Sequence, residues 1–147
     1  MHEQGREEFL GNHHELTRRV IGVFYDVANE LRVGFLESVY RRAMVVALSQ
    51  SGLKAREEVA IPVMFRGVLL GTYFADIVVE GVLVLELKVG EEITKAFEAQ
   101  ALHNLRSSNL EVGLVLVFGE RAKFKRVVMT NDRKRFGKPA NGVQSGL

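Results

Sequence analysis

The stretch Tyr73-Phe-Ala-Asp-Ile-Val-Val-Glu-Gly-Val-Leu-Val-Leu-Glu-Leu-Lys-Val89 decides how this chain folds. Two apolar runs flank Glu80-Gly81, which predicts two β-strands joined by a turn. Three ionisable residues interrupt these runs: Asp76 in the first strand, and Glu86 and Lys88 in the second. Because desolvating a charged side chain is costly, such residues need partners in apolar strands. We therefore expect these three side chains to form one site.

The register of the two strands decides whether Asp76 can join this site. In a strand over residues 82–89, Glu86 and Lys88 share one face and lie roughly 7 Å apart at ~3.3 Å per residue. Asp76 faces the same way if the loop is odd, as in Glu80-Gly81-Val82, or if the strand has a bulge. A two-residue loop would send Asp76 to the opposite face. The sequence leaves both registers open.

Two carboxylates and a lysine at one place suit the chemistry of phosphate esters. Carboxylate oxygens are typical ligands of Mg²⁺ or Mn²⁺. Such a cation lowers the pKa of a bound water, and a lysine beside it can stabilise charge that develops on phosphate. Two carboxylates and a lysine are thus the functional groups expected in the active site of a metal-dependent nuclease. An ion pair at the rim of a sheet would explain the same residues without catalysis, and this alternative stays open.

Length and composition favour one intracellular domain. The chain has 147 residues, of which 47% are hydrophobic, and this is typical of a single globular domain. No run approaches the ~18 apolar residues that cross a bilayer, and the acidic first twenty residues do not fit a secretory signal. The chain has no cysteine, which excludes thiolate metal sites and fits a cytoplasmic location.

Apolar periodicity predicts the order α-α-β-β-β-α-β-β along the chain. The predicted helices cover about residues 13–31, 36–50 and 91–107, and the predicted strands about residues 59–64, 69–79, 82–89, 112–118 and 123–129. This order implies an α/β (α+β) fold, with a central mixed sheet flanked by helices. Pro62 predicts that the first strand lies at an edge or is irregular. We expect a flexible segment over residues 1–12, one domain over 13–130, and a basic, disordered tail over 131–147.

Two predicted helices carry further candidate residues. Glu37 lies at the edge of an apolar helix face, where it could serve as a metal ligand or as a base that orients water. It could equally be a carboxylate favoured at a helix N-terminus. Gln100 and Asn104 lie one helical turn apart on an apolar side. Amides that face a phosphate or a buried carboxylate would explain them, and so would a polar pair at the sheet edge.

The basic residues are concentrated near the end of the chain. Residues 121–138 hold eight of the 20 basic residues and one of the 18 acidic residues. This asymmetry predicts a contact with a polyanion, although a solvated tail explains it equally well. The predicted nucleic-acid contacts are Arg121, Lys123, Lys125, Arg126 and, on the third helix, Asn104.

A family resemblance joins these scattered residues. The segment Gly34-Phe-Leu-Glu-Ser-Val-Tyr40 resembles the Gly-x-x-Glu-x-x-Tyr signature of the GxxExxY family, which is assigned to the PD-(D/E)XK nuclease superfamily. The resemblance continues through residues 75–79, 86–88, 99–102 and 113–119. It implies a restriction-endonuclease-like core with the site on its central hairpin. Asn104 stands where the family often has a tyrosine.

The resemblance also implies roles for individual residues. Asp76 and Glu86 would be metal ligands, with the backbone carbonyl of Leu87 as a third. Lys88 would be the catalytic lysine, Glu37 an auxiliary acid, and Gln100 a helper on the third helix.

The sequence therefore predicts a Mg²⁺- or Mn²⁺-dependent phosphodiesterase, with DNA as the expected substrate and metal-activated water as the nucleophile. The alternative is a non-catalytic nucleic-acid-binding or oligomeric protein-interaction module on the same scaffold. Whether the chain forms a homo-oligomer stays open.

Overall fold

The computed structural model describes residues 3–134 of the chain, and their side chains from residue 13 onward. The helices are α1 (Glu3–Leu31), α2 (Glu37–Gln50) and α3 (Lys95–Arg106), with a short 3₁₀ turn at Asn131–Arg133. The strands are β1 (Ala55–Phe65), β2 (Val68–Val79), β3 (Leu83–Val89), β4 (Val112–Phe118) and β5 (Lys123–Val128). The order of elements is the predicted one.

The five strands form one mixed sheet in the order β1-β2-β3-β4-β5. Neighbouring strands are antiparallel except β3 and β4, which are parallel and are connected through α3. A parallel pair needs such a crossover, whereas the other pairs follow one another through short turns. The architecture confirms the predicted α/β (α+β) class with a mixed sheet flanked by helices.

Two apolar cores cover the two faces of the sheet. The first core packs α1 and α2 against Leu83, Leu85 and Leu87 of β3. The second core packs α3 against the opposite face, which includes Val84. Every residue of β4 is buried, as expected for a strand covered on both sides. Alternate residues of β3 therefore face different helices, and Glu86 and Lys88 lie on the α3 side.

The edge position of β1 agrees with the prediction from Pro62. The β1 strand is the first of the sheet, and its pairing with β2 shifts register between Val63 and Met64. Because proline cannot donate a backbone hydrogen bond, an edge strand tolerates it best.

The structure corrects the starts of two predicted helices. Helix α1 begins at Glu3 rather than near residue 13, so the backbone of residues 3–12 is helical; residues 1–2 lie outside the described part. Helix α3 begins at Lys95 rather than at Glu91, because the Thr94 side chain caps it by accepting a hydrogen bond from Phe97 N at 3.2 Å. Of the predicted basic tail, residues 135–147 lie outside the described residues. Within residues 3–134, no helix is long and apolar enough to cross a membrane.

Candidate functional site

The β2–β3 turn produces the register that brings Asp76 to the candidate site. Val79 pairs with Leu83 and Ile77 pairs with Leu85, so the loop holds the three residues 80–82. The odd loop is thus confirmed, and continuing this register places Asp76 opposite Glu86. The regular pairing ends at Ile77–Leu85, and beyond it Asp76 Oδ2 accepts a hydrogen bond from the backbone N of Leu87 at 2.7 Å.

Three hydrogen bonds fix this turn. Glu80 and Gly81 have φ angles of +53° and +68°, as in the turns that suit tight hairpins. Val82 N donates to Val79 O at 3.0 Å and closes the turn. Glu80 is not a glycine, so its left-handed backbone is unfavourable. Its backbone N donates to Lys54 O and its carboxylate accepts from Lys54 N, both at 2.8 Å, which holds the strained residue in place.

Glu86 is the most buried ionisable group of the site. Its side chain is fully buried, and its Oε1 accepts a hydrogen bond from Asn104 Nδ2 on α3. Its second oxygen, Oε2, is buried and has no hydrogen-bond partner. Burial first, and then the negative charge of Asp76, raise the pKa of Glu86 to about 9, although Lys88 opposes this shift. A buried carboxylate oxygen without a partner is costly unless a proton or a cation satisfies it.

Lys88 follows Glu86 on the same face of β3. Its Nζ lies 5.8 Å from the centre of the Phe97 ring on α3, within the range of a cation–π contact. The side chain is partly buried, and its positive charge influences both Glu86 and Glu37. The position of Phe97 beside this lysine could not be predicted, because an aromatic residue on an apolar helix face usually indicates core packing alone.

Glu37 is the first residue of α2, and the hydroxyl group of Tyr40 holds the loop that precedes this helix. The Tyr40 hydroxyl donates to Arg32 O and accepts from Phe35 N at 3.5 Å. Gly34 has a φ of +115°, which favours glycine in this loop. Burial raises the pKa of Glu37, with a smaller raising effect from Asp76 and lowering effects from Lys88 and Arg41. These charges place Glu37 within electrostatic range of Asp76 and Lys88.

The two amides predicted on α3 occupy different environments. Asn104 is buried, with 1% of its surface exposed, and donates to Glu86 as described above. Its predicted place among the nucleic-acid contacts is therefore corrected, since its amide faces a buried carboxylate. The polar residue on an apolar helix face was the signal of this contact. Gln100 lies one turn earlier and is exposed.

The basic residues of β5 are partly neutralised by acidic neighbours. Lys123 pairs with Glu92 at 3.0 Å, and Lys125 pairs with Glu98 at 2.6 Å. Arg121 is exposed, whereas two guanidinium nitrogens of Arg126 are buried without hydrogen-bond partners. The positive surface predicted for nucleic acid is thus smaller in this strand than the sequence suggests.

The donor set can be compared with the needs of a divalent cation. Among the described residues, no group of three or more His, Cys, Asp and Glu side chains is arranged to hold a metal ion. Asp76 and Glu86 nevertheless offer hard carboxylate oxygens, and the unpartnered Oε2 of Glu86 is the kind of atom that a cation satisfies. The two carboxylates fit a cation whose other ligands are backbone carbonyls, water or substrate oxygens.

The comparisons with known proteins agree with this fold. The crystal structure of SSO0001 is similar with a TM-score of 0.52 and 14% sequence identity, covering 64% of this chain and 50% of that chain. The chain thus spans about half the length of SSO0001, and the similarity concerns the fold alone. No curated protein matches the sequence. The sequence pattern of the PD-(D/E)XK nuclease superfamily matches residues 14–127, which is most of the chain and includes Asp76, Glu86 and Lys88, and the chain therefore belongs to this superfamily.

Proposed function

We propose that this protein is a Mg²⁺- or Mn²⁺-dependent nuclease that hydrolyses phosphodiester bonds of DNA. The observation that carries the proposal is the β2–β3 register, in which Asp76 and Glu86 directly follow the last regular pair Ile77–Leu85, together with the buried, unpartnered Oε2 of Glu86. Superfamily membership supports nuclease activity in general, and metal use is general among these enzymes. The specific cation and the choice of DNA are our proposals.

Each residue has a role that its position supports. Asp76 and Glu86 would hold the cation, together with the backbone carbonyl of Leu87. The cation would act as a Lewis acid, which would lower the pKa of water and neutralise charge on the phosphate. Lys88 can donate hydrogen bonds to a phosphate oxygen and stabilise the charge that develops there.

Two further side chains would act on water and substrate. Glu37 has a raised pKa, which makes its carboxylate a stronger proton acceptor for the attacking water. Gln100 is exposed on α3 and can contact a substrate that enters from solvent. Water would be added across a P–O bond, leaving a phosphomonoester and a free hydroxyl.

The finer family assignment is also part of this proposal. We assign the chain to the GxxExxY proteins because Gly34, Glu37 and Tyr40 act together: glycine permits the loop, tyrosine holds it, and glutamate begins the helix. Arg121, Lys123, Lys125 and Arg126 would contact the DNA backbone, with the two lysines exchanging their acidic partners for phosphate. The cytoplasm remains the predicted location.

Cleavage assays test the activity directly. Purified protein is incubated with plasmid and single-stranded DNA in Mg²⁺, Mn²⁺ or EDTA. We expect cutting in the presence of metal, and its loss in Lys88→Ala and Asp76→Ala. Lys95→Ala is the matched control, because Lys95 is an exposed lysine at the start of α3 and belongs to no part of the proposed site. Cutting by both site variants at the wild-type rate would refute the proposed roles.

Metal binding can be measured without activity. A ligand that binds only the folded state raises the melting temperature by mass action. We expect Mn²⁺ to raise the Tm of the wild type and not that of Glu86→Gln. If the wild type neither cuts nucleic acid nor responds to Mn²⁺, the alternative of a non-catalytic binding module is favoured. A Tm response without DNA cleavage would redirect the search to another phosphodiester substrate.

A further inference from the structure

The β1–β2 hairpin extends beyond the part of the sheet that the helices cover. The β2 strand pairs with β1 along most of its length but with β3 only through Ile77, Val78 and Val79. Within the described residues, the β2 backbone over 68–74 therefore has a neighbouring strand on one side only. We call residues 60–74 the arm.

The hairpin changes its orientation where the arm begins. Glu58, opposite Asp76 in the register, has a φ of +49°, and the pairing of β1 with β2 is interrupted there. On one side of this point, Ile77 belongs to the core under α1 and α2. On the other side, Ala75 belongs to the core under α3. At the strained position, the hairpin thus changes the face of the sheet to which its buried side chains turn.

The arm is apolar and largely solvent-exposed. Its sequence contains one charged residue, Arg66. Seven large apolar side chains are between 38% and 63% exposed: Met64, Phe65, Val68, Leu69, Leu70, Tyr73 and Phe74. Because neighbouring residues of a strand point to opposite faces, both faces of the arm are apolar. Single exposed apolar residues are ordinary, but a contiguous set of this size marks an interaction surface.

We infer that the arm is a dimerisation surface, which packs against the arm of a second copy of this chain about a two-fold axis. Seven such side chains, about half exposed, present on the order of 700 Å² of apolar surface, close to the ~800 Å² that each partner contributes to a standard interface. The near absence of charge makes the arm unsuited to nucleic acid, whose binding depends on Lys and Arg. It also means that two copies meet without charge repulsion.

The two edges of the arm differ in their ability to pair. The outer edge of β1 carries Pro62, which cannot donate a hydrogen bond to another strand. The free edge of β2 has no proline over residues 68–74, and its irregularity is confined to Leu70, the extra residue opposite the step from Val63 to Met64. An antiparallel pair of β2 strands over residues 71–74, beyond Leu70, would satisfy this edge in both copies and is compatible with two-fold symmetry.

A dimer of this kind would fix two candidate sites relative to each other. Asp76 lies at the base of the arm, and the Tyr73 ring on the arm stacks on His103 of α3 at 5.8 Å. The arm is therefore anchored to the helix that carries Asn104. The exposure and the strand pairing of the arm are independent of the proposed activity.

Sedimentation velocity on the full chain over a micromolar concentration range tests the inference. We expect a dimer for the wild type, a monomer for Leu70→Glu, and a dimer for Val46→Glu. Leu70 is 63% exposed on the arm, and Val46 is 55% exposed on α2, so the two changes are matched. Thermal unfolding monitored by circular dichroism establishes that each variant is folded. A wild type that stays monomeric would overturn the inference. So would a Leu70→Glu variant that dimerises over the same concentration range as the wild type.

Cross-linking gives a second test that depends on geometry. The chain has no cysteine, so a single introduced thiol can form a disulfide only between two copies. We expect Thr72→Cys, in the middle of the arm, to form a covalent dimer under mild oxidation. Ser49→Cys, at an exposed position on α2, is the control. Equal cross-linking of the two variants would contradict an interface at the arm.

Discussion

Asn104 on α3 donates a hydrogen bond from its Nδ2 to Oε1 of Glu86, the most buried carboxylate of the sheet. The two residues lie 18 positions apart in the chain and meet in the core between α3 and the sheet. This bond orients Glu86 and leaves its other oxygen free for a proton or a cation.

Replacing Asn104 should therefore destabilise the protein. Asn104→Ala leaves a buried carboxylate without its donor, and we expect the free energy of unfolding to fall by about 1–3 kcal/mol. Urea unfolding in EDTA measures this change. Gln100→Ala, one turn away on the exposed side of α3, should change it by less than about 0.5 kcal/mol. Because alanine favours a helix more than asparagine or glutamine does, helix propensity cannot cause a loss in either variant. A similar loss in both variants would mean that the bond to Glu86 does not explain the effect.

The raised pKa of Glu86 predicts how stability depends on pH in the absence of metal. Its pKa is about 9 in the folded protein and near 4.5 in the unfolded chain. Between these pH values the folded state binds more protons, so the free energy of unfolding should decrease as pH rises from about 4.5 towards 9. The contribution is fully present below about pH 4.5 and is lost as pH passes the folded value.

Urea titrations of the wild type and Glu86→Gln in EDTA, from about pH 5 to pH 9, isolate this contribution. The difference between the two proteins removes the effect of the other titrating groups. We expect the stability of Glu86→Gln relative to the wild type to increase with pH. A difference that is constant across the range would mean that Glu86 titrates normally.

The sequence predicted which face Glu86 and Lys88 share, but not the register of Asp76, which depends on the conformation of a turn. The alternation of Glu86 and Lys88 placed both on one face, and the structure confirms this, because period two follows from the pleat of any strand. The register of Asp76 could not be decided, since it depends on the left-handed Glu80 and its hydrogen bonds to Lys54, a residue 26 positions away. Local sequence contains no such long-range partner.

The start of α3 shows the same limit in a helix. Glu91 and Glu92 suit the N-terminus of a helix, and the prediction started α3 there. In the structure, Thr94 provides the cap, and the Glu91 carboxylate instead accepts from Glu120 N at 3.2 Å, beyond β4. Competition between a local preference and a tertiary hydrogen bond decided the boundary. The polar side chain of Asn104 on an apolar helix face indicated that it has a partner. Which residue is that partner depends on how α3 packs on the sheet, and this could not be predicted.

The Tyr40 hydroxyl should matter for both stability and activity. Tyr40→Phe keeps the ring, which stacks on Phe118 with centroids 4.3 Å apart, but removes the hydrogen bonds to the loop before α2. We expect a loss of about 1–2 kcal/mol in the free energy of unfolding. Cleavage should slow as well, because the loop positions Glu37. Tyr25→Phe, at a residue with 37% exposure, is the control and should change neither quantity. If Tyr40→Phe cleaved at the wild-type rate, the hydrogen bonds of this loop would not contribute to catalysis.

The close approach of Gly119 to the end of β3 gives the last prediction. A Cβ at residue 119 would lie 2.1 Å from the backbone O of Gly90 and 3.0 Å from both carboxylate oxygens of Glu91. Because a backbone oxygen cannot move without displacing its strand, Gly119→Ala should destabilise the protein by about 1–3 kcal/mol or more. Gly22→Ala is the matched control: a Cβ there meets nothing within 4 Å in α1, and helix propensity should stabilise the protein by about 0.5–1 kcal/mol. Urea unfolding of the two variants should thus give changes of opposite sign. If Gly119→Ala were as stable as the wild type, the ends of β3 and β4 would have to separate easily, and the position of Lys88 near that end would be less fixed than the structure indicates.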